Sequence, residues 1–388
     1  MRHHDVIVVG LGTAGAATCM TLARRGVSVL GLDAFDPPHR KGSHHGRSRS
    51  VRRAYLEGTG YLPMALWSWD GWRQLEKDSG ERLLVTTGNL TIGLPDGPAL
   101  SGFLASARTG SIPHEVLSAG EVRKRWPQLM PPDDYAAGME TQAGIVFPER
   151  CIRVFLRLAR AAGADLETGE RVTAWTPRGG GIEVHTSRGK YTAGRLLIAA
   201  GAGSRRLLGS SAGLLAPKRV PVHWIDVPNA AAFGLGTFPV SFWQVPLGGG
   251  SNAALSCREF YVLPVVETGG RVKAAFHNGL ADCDPEKPAP AVSAEEEARI
   301  RSMLERFVPP LSDRPITSDT CMYTLTPDND FIVGALPENE NVFGVALAGH
   351  GFKFAPVLGQ ILADLIQGIA PAIDVDCFSP WRFLDRNG

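Results

Sequence analysis

Apolar positions along the chain fall into short, dense runs separated by glycine, proline and charged residues. Asp5-Val-Ile-Val-Val-Gly10 is β-branched and bounded by glycine, which predicts a buried parallel strand. A helical stretch runs from Ala16 to Arg25, and Gly26 ends it, as a glycine just past the last turn commonly does. Val27-Ser-Val-Leu-Gly-Leu-Asp33 predicts a second strand that closes on an acid. Strands are predicted again over Glu170–Trp175 and over Leu196–Ala200, the latter running into Gly201-Ala-Gly203. Glu259–Pro264 and Arg271–His277 alternate as strands, and the second puts Lys273, Ala275 and His277 on one face. Two more strands are predicted over Thr317–Thr326 and Asn341–Ala348. Phe354, Val357, Leu358, Ile361, Leu362, Leu365 and Ile366 then recur at i, i+3 and i+4, predicting a helix from Phe352 to Gln367 with Gly368 as its C-cap. No apolar stretch approaches the ~18 residues that span a bilayer.

Between the first two strands lies Gly10-Leu-Gly12-Thr-Ala-Gly15. A strand, a GxGxxG turn, a helix and a strand ending in an acid form the dinucleotide fingerprint in its proper context. Gly10 permits the tight turn, Gly12 lets a diphosphate approach the backbone, and Gly15 lets the helix pack closely on the strand. The helix N-terminus then faces the diphosphate. Asp33 is placed to accept from a ribose hydroxyl, which favours FAD or NAD over NADP. No second GxGxxG occurs, which points to one tightly held nucleotide.

With 388 residues the chain has room for two or three domains. Forty Lys and Arg against 39 Asp and Glu leave a net charge of +1, which argues against a general nucleic-acid binder and against an acidic tail. The six cysteines contain no CxxC pair, so neither a disulfide scaffold nor a zinc knuckle is expected. Only Met1–His4 precede the first apolar run, so a cleaved leader is not expected, and the reading is a cytoplasmic protein with reduced thiols. One local excess stands out: nine of the residues from His39 to Arg53 are His, Lys or Arg. A nucleic-acid patch is disfavoured by the balanced charge of the rest. A metal site at His44 and His45 is disfavoured because adjacent side chains on an extended chain point opposite ways. A solvated loop stays open. The favoured reading is a loop lining an anionic cofactor and an anionic substrate, since it directly follows the first strand–helix–strand unit.

The stretch Asp33-Ala-Phe-Asp-Pro-Pro-His39, then Gly42-Ser-His-His-Gly46, then Arg49 and Arg52, resembles the monomeric sarcosine oxidase and N-methyltryptophan oxidase family. Cys321-Met-Tyr323-Thr324 before Asp328 and Asp330, and Gly349-His-Gly351-Phe352-Lys353-Phe354, agree in the same order. The resemblance runs from residue 5 to about residue 368 and is loose from about 225 to 315. It implies an α/β fold in which a glutathione-reductase-like FAD-binding Rossmann domain (1–85, 145–218 and 316–388) is interleaved with a mixed-sheet substrate domain (86–144 and 219–315).

The resemblance also implies roles. FAD would be bound covalently through Cys321. Gly10, Gly12, Gly15, Asp33, Ser43, His44, Arg49, Val172, Gly201, Gly351, Phe352 and Lys353 would hold it, with the helix after Phe352 aimed at the flavin pyrimidine ring. Lys273 would activate oxygen, in a catalytic set with Arg49, His45, Tyr261, His277 and Tyr323. Arg52 and Lys353 would bind the substrate carboxylate, and the amine would point to the Gly349 carbonyl. No metal enters the scheme. The implied reaction is oxidation of a secondary amino acid to an imine that hydrolyses, with oxygen reduced to hydrogen peroxide, by a monomer that needs neither membrane nor nucleic acid. Bulkier or cyclic secondary amines, such as pipecolate or an N-methylated aromatic amino acid, stay open as substrates. So do a dehydrogenase with another electron acceptor and a non-catalytic nucleotide-binding protein. Three departures fall where substrate could enter: Arg47 stands in place of an acid, Ser48 in place of a threonine, and the 246–256 loop is longer.

Overall fold

A computed structural model describes residues 3–247, 257–266, 269–287 and 289–383. Of the 246–256 loop only Pro246 and Leu247 are among them; the rest of that expectation lies outside the described residues. The first strand, His3–Val9, runs parallel to Val29–Leu32 on one side and to Lys190–Ile198 on the other. Val6 to Val9 are buried, as expected for a strand with neighbours on both edges and cover on both faces. Asp165–Glu167 extends the sheet beyond Val29–Leu32. Beyond Lys190–Ile198 lie Gly181–Thr186 and Val172–Arg178, both antiparallel. Asn339–Ala346 pairs in parallel with the last residues of Lys190–Ile198, and Ile332–Leu336 pairs with it. Segments from the start, middle and end of the chain thus share one eight-stranded sheet.

The first helix, Thr13–Arg24, begins at Thr13 rather than the expected Ala16, directly after the glycine turn, and Gly26 follows it at φ 78°. The last helix, Ala355–Gln367, packs against it. A Cβ on Gly359 would lie 2.8 Å from the Ala17 backbone, so glycine there allows one helix to rest on the other. The buried stripe Val357, Leu358, Ile361, Leu362 and Ile366 is the one the periodicity predicts. Its start differs: Phe352–Phe354 form a 3₁₀ turn, and the α-helix proper begins at Ala355. Pro356 has no N–H to donate, so it belongs to the first turn of the helix and not to its interior. Gly368 caps the helix in the left-handed region.

A second layer is a nine-stranded mixed sheet. Its order is Ala281–Asp282, Ala216–Asp226, Arg271–Phe276, Cys257–Leu263, Val240–Pro246, Asn89–Gly93, Ala136–Glu140 and His114–Ser118. Its pairs are antiparallel except Val240–Pro246 with Asn89–Gly93. Ile316–Leu325 pairs along Ala216–Asp226, with Cys321 opposite Val220. These two strands lie at the seams between the segments assigned to the two expected domains. The sheet has its own core, in which Trp243, Phe260 and Phe307 meet, the last from the helix Ala294–Phe307. A small sheet of Arg49–Val51, Gly144–Val146 and Leu84–Thr86 carries the end of the basic segment. Among the described residues no helix is long and apolar enough to cross a membrane.

Candidate active site

One end of a cavity of about 450 Å³ is made of backbone. Gly10 adopts φ 95°, and a Cβ there would lie 2.5 Å from the Ala199 carbonyl oxygen, so only glycine passes. Gly15 is tighter still: its Cβ would lie 1.8 Å from the Gly10 carbonyl oxygen. The Asp33 carboxylate accepts from the Leu11 N–H at 2.8 Å and from the Phe35 N–H at 2.9 Å. Burial pushes its pKa up, but His39 and those two amides outweigh it and hold the carboxyl below the usual range. Val172 and Gly201 line the same end. His44 accepts from the His39 N–H at 3.1 Å and sits against Gly12; burial, aided by His39, pulls its pKa down to about 3, so the ring is neutral.

The next part of the cavity is built on the chain from Ser43 to Arg49, whose carbonyls converge on two cations. Arg49 donates to the carbonyls of Ser43 at 2.8 Å, His45 at 2.6 Å and Ser48 at 2.9 Å. Lys273 donates to Gly46 at 3.0 Å and Ser48 at 2.8 Å. Lys273 comes from the Arg271–Phe276 strand, where it stands opposite Leu263, with Ala275 opposite Tyr261. Burial and the neighbouring Arg49 pull the Lys273 pKa well below its ordinary value, partly opposed by Cys321 and Glu149. Cys321 lies 3.7 Å from the Arg49 guanidinium. Burial pushes this thiol up, yet His45, Arg49 and Lys273 together bring it down to about 7, so a large share is thiolate at neutral pH.

The far end is built of side chains. The Nη2 of Arg52 donates to both Glu57 oxygens, at 2.8 and 3.0 Å, while its guanidinium lies over the rings of Tyr55 and Phe242. Lys353 reaches the same place from the opposite end of the chain. Its ammonium donates to the His350 carbonyl at 2.7 Å and to the Tyr55 hydroxyl at 3.4 Å, over the Tyr55 ring. Burial and Arg52 pull the Lys353 pKa down; Glu57 opposes and Arg49 adds, leaving it at about 7. Glu57 itself stays ionised: burial raises its pKa, but Arg52 and the other cations bring it to about 2. The Tyr323 hydroxyl and the His277 Nδ1 are 3.4 Å apart, and burial lowers His277 to about 4, so it is neutral. Gly349 adopts φ 82°, and a Cβ there would strike the Tyr323 ring at 2.4 Å.

Of the expected residues, Gly10, Gly12, Asp33, Ser43, His44, Arg49, Arg52, Val172, Gly201, Tyr261, Lys273, His277, Cys321, Tyr323, Gly349, Gly351, Phe352 and Lys353 all line this cavity. Gly15 and His45 do not line it; Gly15 lies behind the turn and His45 beside Cys321. Sequence reasoning missed Glu57, Tyr55 and His350. Glu57 had a signal: it is the first acid after Asp36, at the end of the cationic run. Arg47 turns out to lie over the Trp224 ring, 5.1 Å from its centroid. A glycine-walled cradle at one end fits a dinucleotide. So do the buried hydroxyls of Ser48 and Ser50, which line the same cavity and have no hydrogen-bond partner among the described residues.

Comparison with known proteins agrees with this geometry. A family model described as FAD dependent oxidoreductase matches residues 5–365. A monomeric sarcosine oxidase of Streptomyces avermitilis is 35% identical over 98% of this chain and 97% of its own length. An N-methyl-L-tryptophan oxidase of Citrobacter koseri is 32% identical, covering 98% of this chain and 99% of its own. Among solved structures, the open form of NikD, an unusual amino acid oxidase essential for nikkomycin biosynthesis, superposes with a TM-score of 0.84 at 25% identity, over 98% of each chain. The chain therefore belongs to the FAD dependent oxidoreductase family.

Proposed function

We propose that the chain is a cytoplasmic, monomeric oxidase of secondary amino acids of the N-methyl type, which converts the amine to an imine and oxygen to hydrogen peroxide. The observation that carries this reading is the meeting of Arg52 and Lys353 over Tyr55, in the same cavity as Cys321 and Lys273. Two cations with an aromatic floor are the chemistry a small carboxylate needs. The Nε of Arg52 is buried without a partner among the described residues, so a donor is in hand beyond the Glu57 pair. The sarcosine and N-methyltryptophan oxidases supply the substrate class.

Bound FAD would supply the two-electron acceptor for the substrate C–H and the donor to oxygen. The chain's own residues do the rest. Arg52 and Lys353 hold the carboxylate and so orient the carbon that loses its hydrogen. The Gly349 carbonyl accepts from the amine N–H beside Tyr323. The surrounding positive charge of Arg49, Arg52 and Lys353 favours the neutral amine, the form that can lose a hydride equivalent. The amine proton leaves to solvent, and water hydrolyses the free imine. Lys273 and Arg49 stabilise negative charge developing on oxygen. Cys321, its thiol pKa brought down beside His45, Arg49 and Lys273, would be the residue that holds the cofactor covalently.

A peroxide-coupled screen over N-methyl and cyclic amino acids tests the function. Peroxide release with members carrying a free carboxylate is expected, and silence across the whole panel overturns the reading. The anchor has its own test: after denaturation, flavin fluorescence should travel with the protein band on a gel, whereas Cys321→Ser should leave all flavin dissociable. Wild-type flavin found wholly in the supernatant sinks the covalent link.

A further inference from the structure

The turn that holds Lys273 has an unusual backbone. Gly46 adopts φ 102° and Arg47 φ 69°, a left-handed conformation that a residue with a Cβ rarely takes unaided. In this turn the carbonyls of Gly46 and Ser48 accept from Lys273. A single oxygen of Glu149 accepts from the N–H of Gly46 at 2.7 Å and from the N–H of Arg47 at 3.0 Å. We infer that Glu149 is a positioning residue for the oxygen half-reaction: it clamps the 46–48 turn through its amides while Lys273 bonds its carbonyls, and so fixes where the Lys273 Nζ stands. The inference rests on the oxygen-activating role proposed for Lys273.

Several observations bear on it. Glu149 does not line the cavity, so it reaches neither substrate nor oxygen directly. It sits in the first turn of the Pro148–Ala161 helix, where the helix N-terminus favours a negative charge. Burial pushes its pKa up, but the Arg47 and Gly46 amides and the Arg49 charge outweigh burial and keep it ionised. The turn thus lies between one carboxylate on its amides and two cations on its carbonyls, since Arg49 also draws on Ser48, His45 and Ser43. Lys273 comes from a strand of the other layer, more than two hundred residues away in sequence, and among the described residues its ammonium has only these two carbonyls as hydrogen-bond partners. Moving the turn moves the anchor. By contrast, Arg52 and Lys353 take their partners from Glu57, His350 and Tyr55, whereas the hydrogen bonds of Glu149 among the described residues go to the Gly46 and Arg47 amides.

The test separates the two half-reactions in the full-length holoenzyme by rapid mixing. Glu149→Ala should slow reoxidation by oxygen about 10- to 100-fold, the scale of a small misplacement of a reacting group, while anaerobic reduction by substrate stays within about threefold. Combined with Lys273→Met, it should add nothing to the loss that Lys273→Met causes alone. Hydrogen exchange gives a readout independent of turnover: the Gly46 and Arg47 amides should lose protection in Glu149→Ala. Glu149→Gln, which keeps the shape and one acceptor, is the second variant if alanine does not fold; it should fall between wild type and Lys273→Met in reoxidation. Additive losses in the double variant, equal slowing of both half-reactions, or unchanged amide protection would each overturn the inference. If Lys273→Met slows reoxidation and Glu149→Ala does not, the inference fails alone. If Lys273→Met reoxidises at the wild-type rate, the role of Lys273 falls and takes this inference with it.

Discussion

The two ends of the cavity are made of different materials. The nucleotide end is backbone: a glycine turn, a helix N-terminus and the N–H groups around Asp33, all from the stretch between Val9 and Phe35, with Ala199 to Gly201 closing the wall. The far end, where the substrate is proposed to bind, is side chains: Arg52, Glu57, Tyr261, His277, Tyr323 and Lys353, delivered by segments scattered over the whole chain. Gly10 and Gly15 of the backbone cradle admit no added carbon, and its helix N-terminus and amides favour a negative charge whatever side chains surround them. A side-chain site tolerates changes of shape yet depends on every charge being matched. The first arrangement holds one constant ligand.

The comparison can be broken most severely at the nucleotide end. Gly15→Ala places a carbon inside the Gly10 carbonyl, so the variant should carry no bound flavin; a yellow protein with wild-type flavin content would contradict the backbone account. Next in size comes Lys273→Met. Loss of one buried donor should cost reoxidation roughly 10²-fold or more and leave anaerobic reduction within about tenfold. Unchanged reoxidation would move the role elsewhere, Arg49 being the neighbouring cation. Arg52→Ala should weaken carboxylate inhibitors about 10- to 150-fold, as expected for a charge-assisted pair worth roughly 1.5–3 kcal/mol. Amines without a carboxylate should bind almost as before. Arg52→Lys sharpens this, because it keeps charge but loses the planar fork; wild-type affinity there would mean charge alone suffices.

The smallest effect is a pH slope. Lys353, with a pKa of about 7 in the free protein, must be protonated to hold a carboxylate. An anion bound beside it raises that pKa, so binding takes up a proton. Inhibitors that carry a carboxylate and no amine should therefore weaken by up to about tenfold per pH unit as pH rises above 7, since at most one proton is linked. The slope should vanish in Lys353→Met, and calorimetry in buffers of different ionisation heat should register the proton. A flat affinity between pH 6 and 9 would mean that Lys353 is charged throughout.

What was legible in the sequence divides along the same line. The glycine turn, its two strands and Asp33 are local, within one strand–helix–strand unit, and periodicity together with the GxGxxG spacing located them. Periodicity also located the strand bearing Cys321 and the buried stripe of the last helix. The errors there were at ends: Thr13 opens the first helix and Ala355 the last, because a glycine turn and Pro356, not the hydrophobic stripe, decide where a helix can start. At the substrate end, Arg52, Lys353, Tyr261 and His277 were reached through family resemblance. Tyr261 stands on the nine-stranded sheet and His277 just past one of its strands, while Arg52 follows a strand of the small sheet and Lys353 sits in the 3₁₀ turn before the last helix, so their convergence is tertiary and no local pattern encodes it. Glu57 and Glu149 escaped for the same reason. An acid that neutralises a cation or clamps a turn leaves no periodic trace, and its partner can lie a hundred residues away, as Glu149 does from Gly46.

The central claim is that both ends serve one reaction, with an amino acid giving electrons and oxygen taking them. Mixing the wild-type enzyme with an excess of an N-methyl amino acid under anaerobic conditions tests it most directly. The account predicts that the yellow colour of the oxidised flavin bleaches, that admitting air restores it, and that one peroxide appears for each imine formed. No bleaching with any N-methyl or cyclic amino acid, or bleaching that air does not reverse, would contradict it.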